Sequence, residues 1–332
     1  MTHFHSHSRR RALLMAAWAL ALPAGSVLAQ TQAEPYPSKP VRLVLGFPAG
    51  GPTDVVARIL GQRLGEVLGK PVVIDNRPGA AGNLAAEMVA KAPADGYTLL
   101  YNTSSITISP WVYTKVGFDP LKDFAPVGLT AEMPLVLLAH PSLRSANAQA
   151  LVDRIKASPD TINYGSSGSG AIEHLTSAQF LSLNGASATH VPYKGTAPAL
   201  IDFVAGQTQF MMTTLNTALP FVRDGRLQAL AVSSKSRSAT LPNVPTVTEA
   251  MGKPFASTAW QGVVAPAGTP ATVIERLNKA LGGILAEPAV RQKLAEQGVD
   301  ALGGTPSQYA EFIKSELARW QGVVKQTGAR AD

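Results

Sequence analysis

Three stretches of the sequence gather glycines or small hydroxyl side chains where runs that read as strands end. The first is Gly46-Phe47-Pro48-Ala49-Gly50-Gly51-Pro52-Thr53. Glycine lets a backbone approach a ligand, and a helix N-terminus offers unpaired N–H groups to an anion. Gly46 and Gly51 have the spacing of a phosphate loop, but Pro52-Thr53 stands where that loop has Lys-Ser/Thr. Nothing here would reach a terminal phosphate or a magnesium ion, so nucleotide binding is disfavoured. A plain glycine-rich turn is the alternative. The second stretch is Asn102-Thr103-Ser104-Ser105-Ile106-Thr107 and the third is Tyr164-Gly165-Ser166-Ser167-Gly168-Ser169-Gly170. Small hydroxyl donors beside helix N-termini suit recognition of a carboxylate without a buried cation. Helix capping would use the same residue types. Recurrence of such loops at strand ends in both halves of the chain favours an anion site.

Other constellations are weaker. Gly165-Ser166-Ser167-Gly168-Ser169 is one glycine short of a G-x-S-x-G nucleophile elbow, because Ser169 takes the final position. A periplasmic hydrolase using Ser167 would need His174 or His190 as its base, and no spacing puts either beside it. Glu173-His174 falls in a first helical turn, where adjacent residues point apart, and reads as surface or capping. Asp75-Asn76-Arg77-Pro78-Gly79 reads as a turn with a local ion pair, and Trp111, Tyr193 and Trp260 as core or interface aromatics. His3, His5 and His7 resemble a metal tract but lie in a segment expected to be removed. His140, His174 and His190 lack the spacing that sets two ligands on one face, so neither a metal nor a cofactor is expected.

The 332 residues are 45% hydrophobic and 15% charged, which excludes disorder and coiled coil. The absence of cysteine removes disulfide scaffolds, thiolate metal sites and a lipid-modified N-terminal cysteine. Arg9, Arg10 and Arg11 precede an apolar run over residues 12–22 and the small-residue end Val27-Leu28-Ala29. That is the pattern of a secretory signal peptide over residues 1–29, cleaved near Ala29. The run is 11 residues, short of the roughly 18–20 that a spanning helix needs. Ser8-Arg9-Arg10 also fits a twin-arginine signal, with Ala12 where a bulky apolar residue is usual, so the export route stays open. The formal charge of +7 loses those three arginines on cleavage and becomes +4. No basic run survives, so nucleic acid is not expected as a partner.

These loops need elements to aim them. Short β-branched runs alternate with amphipathic stretches, which predicts an α/β fold with mainly parallel sheets. Strands are predicted over 41–45, 72–75, 98–102, 135–139, 162–164, 188–191, 210–213, 227–232 and 260–264. Helices are predicted over 53–68 with Thr53 as N-cap, 84–92, 148–157, 172–183 and 196–205, and from Pro270, Pro288 and Pro306. Thr305-Pro306-Ser307-Gln308 fits a capping box. The strand–helix series restarts near residue 127, which suggests two discontinuous lobes: residues 36–131 with 252–332, and residues 132–251.

At these loops the chain resembles the Bug family of periplasmic solute-binding receptors, the binding components of tripartite tricarboxylate transporters. The resemblance runs from Tyr36-Pro37-Ser38-Lys39-Pro40 almost to the end. It is carried by Phe47-Pro48-Ala49-Gly50-Gly51-Pro52-Thr53-Asp54, Asp75-Asn76-Arg77-Pro78-Gly79-Ala80, Pro93-Ala94-Asp95-Gly96-Tyr97-Thr98-Leu99-Leu100 and Asn163-Tyr164-Gly165-Ser166. His190-Val191-Pro192-Tyr193-Lys194-Gly195, Ala218-Leu219-Pro220 and Ala265-Pro266-Ala267-Gly268-Thr269-Pro270 continue it.

The resemblance implies a two-lobed, type II-like periplasmic binding protein fold with the ligand in the cleft between lobes. It implies no catalysis, no cofactor, and a monomer that hands a small carboxylate to transporter membrane subunits or presents it to a sensor kinase. Carried over by position, Phe47, Ala49 and Gly50 would line one wall, with Thr53 or Asp54 at the helix start and Ser104 and Thr107 adding hydroxyls. Ser166, Ser167 and Ser169 would meet the carboxylate or its waters from the other lobe, and Tyr193, Lys194, Gly195 and Thr196 would supply backbone donors and a rim charge. Two departures stand out: Gly46 where proline is frequent, and Thr213 where an aspartate is frequent. Losing that carboxylate would disfavour a ligand ammonium, hence an amino acid.

Overall fold

The alternating pattern folds, in the computed structural model, into ten strands and eleven α-helices among the described residues, 36–158 and 160–331. The signal-peptide reading and the N-terminal histidines lie outside the described residues. In chain order the elements open with β1 (Val41–Leu45), α1 (Pro52–Leu68), β2 (Val72–Asn76), α2 (Asn83–Ala90), β3 (Thr98–Thr103), α3 (Ser105–Val112) and β4 (Phe124–Ala139). Next come α4 (Ala148–Ala157), β5 (Asn163–Ser166), α5 (Ile172–Leu183), β6 (Thr189–Pro192), α6 (Thr196–Val204), β7 (Phe210–Thr214), α7 (Leu215–Arg223) and β8 (Gln228–Val232). The chain closes with α8 (Val247–Met251), β9 (Thr258–Pro266), α9 (Ala271–Ala286), α10 (Pro288–Glu296), β10 (Asp300–Ala301) and α11 (Pro306–Thr327).

The strands lie in the order β2-β1-β3-β9-β4-β7-β5-β6, with β10 and β8 also paired to β4. The sheet is mixed, which corrects the expectation of mainly parallel pairing. β1 pairs parallel with β2 and β3, and β5 with β6 and β7. Every pairing of β4 and β9 is antiparallel. β4 is the reason. Its residues from Phe124 to Pro134 pair with β9, and those from Leu135 to Ala139 pair with β7. One strand thus runs through both halves of the sheet. Only its apolar end at 135–139 was legible in the sequence. The earlier part holds Pro126, Gly128 and Pro134, and it stays in the sheet through register shifts at Pro126/Gly128 and Leu129/Ala131. Bulges are where a ladder tolerates residues that weaken it.

The chain crosses back beside β4. Ser233 N–H donates to the Leu135 carbonyl (2.8 Å), Ser233 Oγ accepts from Leu135 N–H (2.8 Å), and Ser257 N–H donates to the Ser233 carbonyl (2.9 Å). Helix ends follow local chemistry. α1 is capped by Gly51 with Pro52 at its first position, not by Thr53, and it ends on Gly69 in the left-handed region. Proline is pre-set for that first position, and this moves the cap back two residues. α11 starts with the Thr305/Gln308 capping box and also ends on a left-handed glycine, Gly328. Apolar faces of α1, α9 and α11 pack on the strands, with Leu60, Leu64, Leu277, Ile284 and Trp320 buried in one core.

Candidate functional site

Five helices begin at one cavity of about 40 Å³, roughly three times what a single water needs. Pro52 and Thr53 open α1, Ser104 and Ser105 open α3, and Ile172 and Glu173 open α5. Thr196 and Ala197 open α6, and Thr214 caps α7. Phe47, Pro48, Thr103 and the β9 segment Ala259-Trp260-Gln261 complete the lining. The first N–H groups of a helix lack intrahelical partners, and each N-terminus carries a partial positive charge. No lysine, arginine or histidine lines the cavity. The space therefore favours an anion through backbone dipoles and hydroxyls.

The β1–α1 loop is held from behind. Asp54, 2% exposed, accepts from Gly50 N–H (2.9 Å), Asn76 Nδ2 (3.0 Å) and Arg58 Nε (2.7 Å). Asn76 also donates to the Phe47 carbonyl (3.0 Å). Burial works to raise the Asp54 pKa, but the bonds from Arg58, Gly50 and Asn76 outweigh it and hold the carboxyl below the ordinary range. Gly46 packs backbone to backbone on Gly82: a Cβ there would lie 2.4 Å from the Gly82 Cα. Its being glycine is thus a requirement of close approach.

The second half of the site is organised around an acid. Glu173 is 3% exposed and accepts from Ser167 Oγ (2.7 Å) and Thr196 Oγ1 (3.1 Å). Burial pushes its carboxyl above the usual range, against the lowering effect of those hydroxyls. Its neighbour His174 is also buried and faces elsewhere. Gly170 N–H donates to His174 Nδ1 (3.2 Å), and the His174 ring stacks on His190 with centroids 3.9 Å apart. His190 Nε2 shares a 2.6 Å hydrogen bond with Ser166 Oγ. The reading of Glu173 and His174 as surface or capping residues is corrected. Adjacent residues do point apart, but both directions lead inward.

Phe47, Thr53, Ser104 and Thr196 therefore lie in the lining, and Ser167 one bond behind it through Glu173. Ala49 and Gly50 are exposed and off the lining. Asp54 is turned to Arg58 and Asn76, and Thr107 donates to the Ser104 carbonyl (2.8 Å). Ser166 is committed to His190, and the Ser169 carbonyl accepts from Tyr113 OH (2.8 Å). Tyr193 donates to Asp202 (2.8 Å) and Lys194 is exposed. Gly195 N–H donates to the Ser167 carbonyl (3.0 Å), and Thr213 Oγ1 lies 3.3 Å from Thr217 Oγ1. Sequence reasoning missed Glu173, Gln261, Thr214 and the site role of Trp260. For Glu173 the available signal was an acid in the first turn after a hydroxyl-rich loop. For β9 there was none, since strand neighbours are set by pairing.

A model of the tripartite tricarboxylate transporter family receptor matches residues 56–329. Protein BugT of Bordetella pertussis is 35% identical over 319 residues, covering 96% of this chain and 98% of its own. Among solved structures, Rpa4515 of R. palustris with adipate superposes with a TM-score of 0.86 at 36% identity, covering 89% of this chain and 99% of that one. MatC of Rhodopseudomonas palustris with bound malate gives 0.82 at 33% identity, over 87% and 100%. The fold is the two-lobed α/β architecture of periplasmic binding proteins. By motif order, chain-wide identity and fold, the chain belongs to the tripartite tricarboxylate transporter receptor family, among the Bug proteins.

Proposed function

We propose that this protein is an extracytoplasmic receptor that captures a small carboxylate and delivers it to the membrane subunits of a tripartite transporter. The observation that carries the reading is the convergence of five helix N-termini and their hydroxyls on a cavity with no basic side chain. Such a site holds a carboxylate by dipoles and hydrogen bonds and can release it without breaking a buried ion pair. The adipate and malate bound by the two R. palustris relatives lend support from ligand chemistry.

The lobes of the reading are residues 36–131 with 252–332 and residues 132–251, meeting at the β4 crossing, and the ligand sits between them. Its working compartment is the periplasm, reached through residues 1–29. It performs no catalysis: Ser167 gives its hydroxyl to an acid and not to a histidine, which speaks against a serine nucleophile. The test is a thermal-shift screen over mono-, di- and tricarboxylates. A ligand at about 100 times its Kd should add about 2.7 kcal/mol of stability. An unchanged melting temperature with every acid would overturn the reading.

A further inference from the structure

The cavity is not uniformly positive. Glu173 puts a carboxyl at its α5–α6 side, where the side chains bonded to it, Ser167 and Thr196, are neutral hydroxyls. None of the lining residues is cationic. A buried carboxyl without a counter-charge is costly, and burial accordingly raises its affinity for a proton. The opposite side has a different balance. The first turns of α3 and α7 hold no acid, and Asp54, in the first turn of α1, is turned away to Arg58 and Asn76. Ser105 N–H is taken by Thr103 Oγ1 (3.3 Å), Thr107 N–H by the Ser104 carbonyl (3.1 Å) and Thr217 N–H by Asn216 Oδ1 (3.0 Å), so the pull of these three N-termini on a ligand carboxylate is chiefly that of dipoles with no acid set against them. A ligand carboxylate laid directly against Glu173 would meet a like charge unless a proton or a donor group stood between them.

We propose that Glu173 is a specificity-determining residue that selects carboxylates bearing a hydrogen-bond donor, a hydroxyl or an ammonium, on the carbon beside the carboxylate. The carboxylate sits at the α1, α3 and α7 N-termini and the donor is held by the Glu173 carboxyl. This rests on the receptor reading and narrows its ligand class. It also replaces the carboxylate lost at Thr213 with one from another element, so an amino acid is again a candidate.

The test is titration calorimetry on wild type and Glu173→Gln with matched acids. One set is succinate, malate and aspartate; the other is adipate, 2-hydroxyadipate and 2-aminoadipate. In wild type the 2-substituted acids of at least one set should bind about tenfold tighter or more than the plain acid, the effect of one charge-assisted hydrogen bond. In Glu173→Gln that preference should fall below about threefold, while the plain acid binds at least as well. Equal affinity for plain and substituted acids in wild type, or an undiminished preference in Glu173→Gln, would overturn the inference and leave the receptor reading standing. Binding of no carboxylate by wild type would overturn both. The wild-type comparison needs no variant, so a misfolded Glu173→Gln does not blunt it.

Discussion

Two buried acids, Asp54 and Glu173, begin two of the helices at the site and have opposite uses. Asp54 faces backward and ties the loop over 46–51 to α1 and β2, whereas Glu173 faces the cavity. Asp54 lies in the first turn of α1, and the sequence could not show that its carboxylate is committed to Arg58, Gly50 and Asn76. Removing that carboxylate strands a backbone N–H and an amide. Asp54→Ala is expected to destabilise the ligand-free protein by about 1–3 kcal/mol in urea unfolding. It should also weaken carboxylate binding several-fold in calorimetry through the loosened loop, although Asp54 is not in the cavity lining. A variant that lost affinity with unchanged stability would show that Asp54 contacts the ligand instead.

At the scale of elements, what matters is how helix starts are brought against one another. Gly195, the N-cap of α6, has φ +124°, and a Cβ there would lie 3.0 Å from Pro48 Cγ in the β1–α1 loop. The two loops touch across the cavity because glycine occupies this position. Gly195→Ala is expected to cost about 1–3 kcal/mol by backbone strain and to weaken ligand binding by separating the loops. Unfolding and titration curves on one preparation would check both, and wild-type behaviour in each would refute it. The helix N-termini themselves were legible locally, since proline, glycine and hydroxyl residues signal them within one turn. β4 was not. Pro126, Gly128 and Pro134 argue against a strand, and antiparallel partners β9 and β10 carry it regardless.

Over the whole molecule, the stacked pair of His174, which is buried, and His190 ties stability to pH. Burial depresses His174 to about 4. Burial, aided by His174, takes His190 to about 3. The unfolded chain, with histidines near 6.5, then binds more protons than the folded chain in between. Stability from this pair is fully present above about pH 6.5 and is lost as pH falls through the folded values. Melting temperature should drop between pH 6.5 and 4, and His174→Gln/His190→Gln should flatten that slope whatever its absolute stability. An unchanged slope in the double variant would assign the acid sensitivity elsewhere.

What the sequence determined by itself was local: an α/β pattern, glycine and hydroxyl loops at strand ends, helix caps, and motifs in the order of one receptor family. Each depends on residues within a turn or two of one another, where propensity and capping act. Tertiary structure decided which of those hydroxyls line the cavity, that Ser166 serves His190 while Ser167 serves Glu173, and that one strand joins both halves of the sheet. It also decided that an acid in a helix's first turn lines the cavity where five helices begin. Those outcomes depend on packing between segments far apart in the chain, such as Ser104 on Trp260 and Thr196 on Glu173. No local spacing encodes the direction in which such packing turns a side chain.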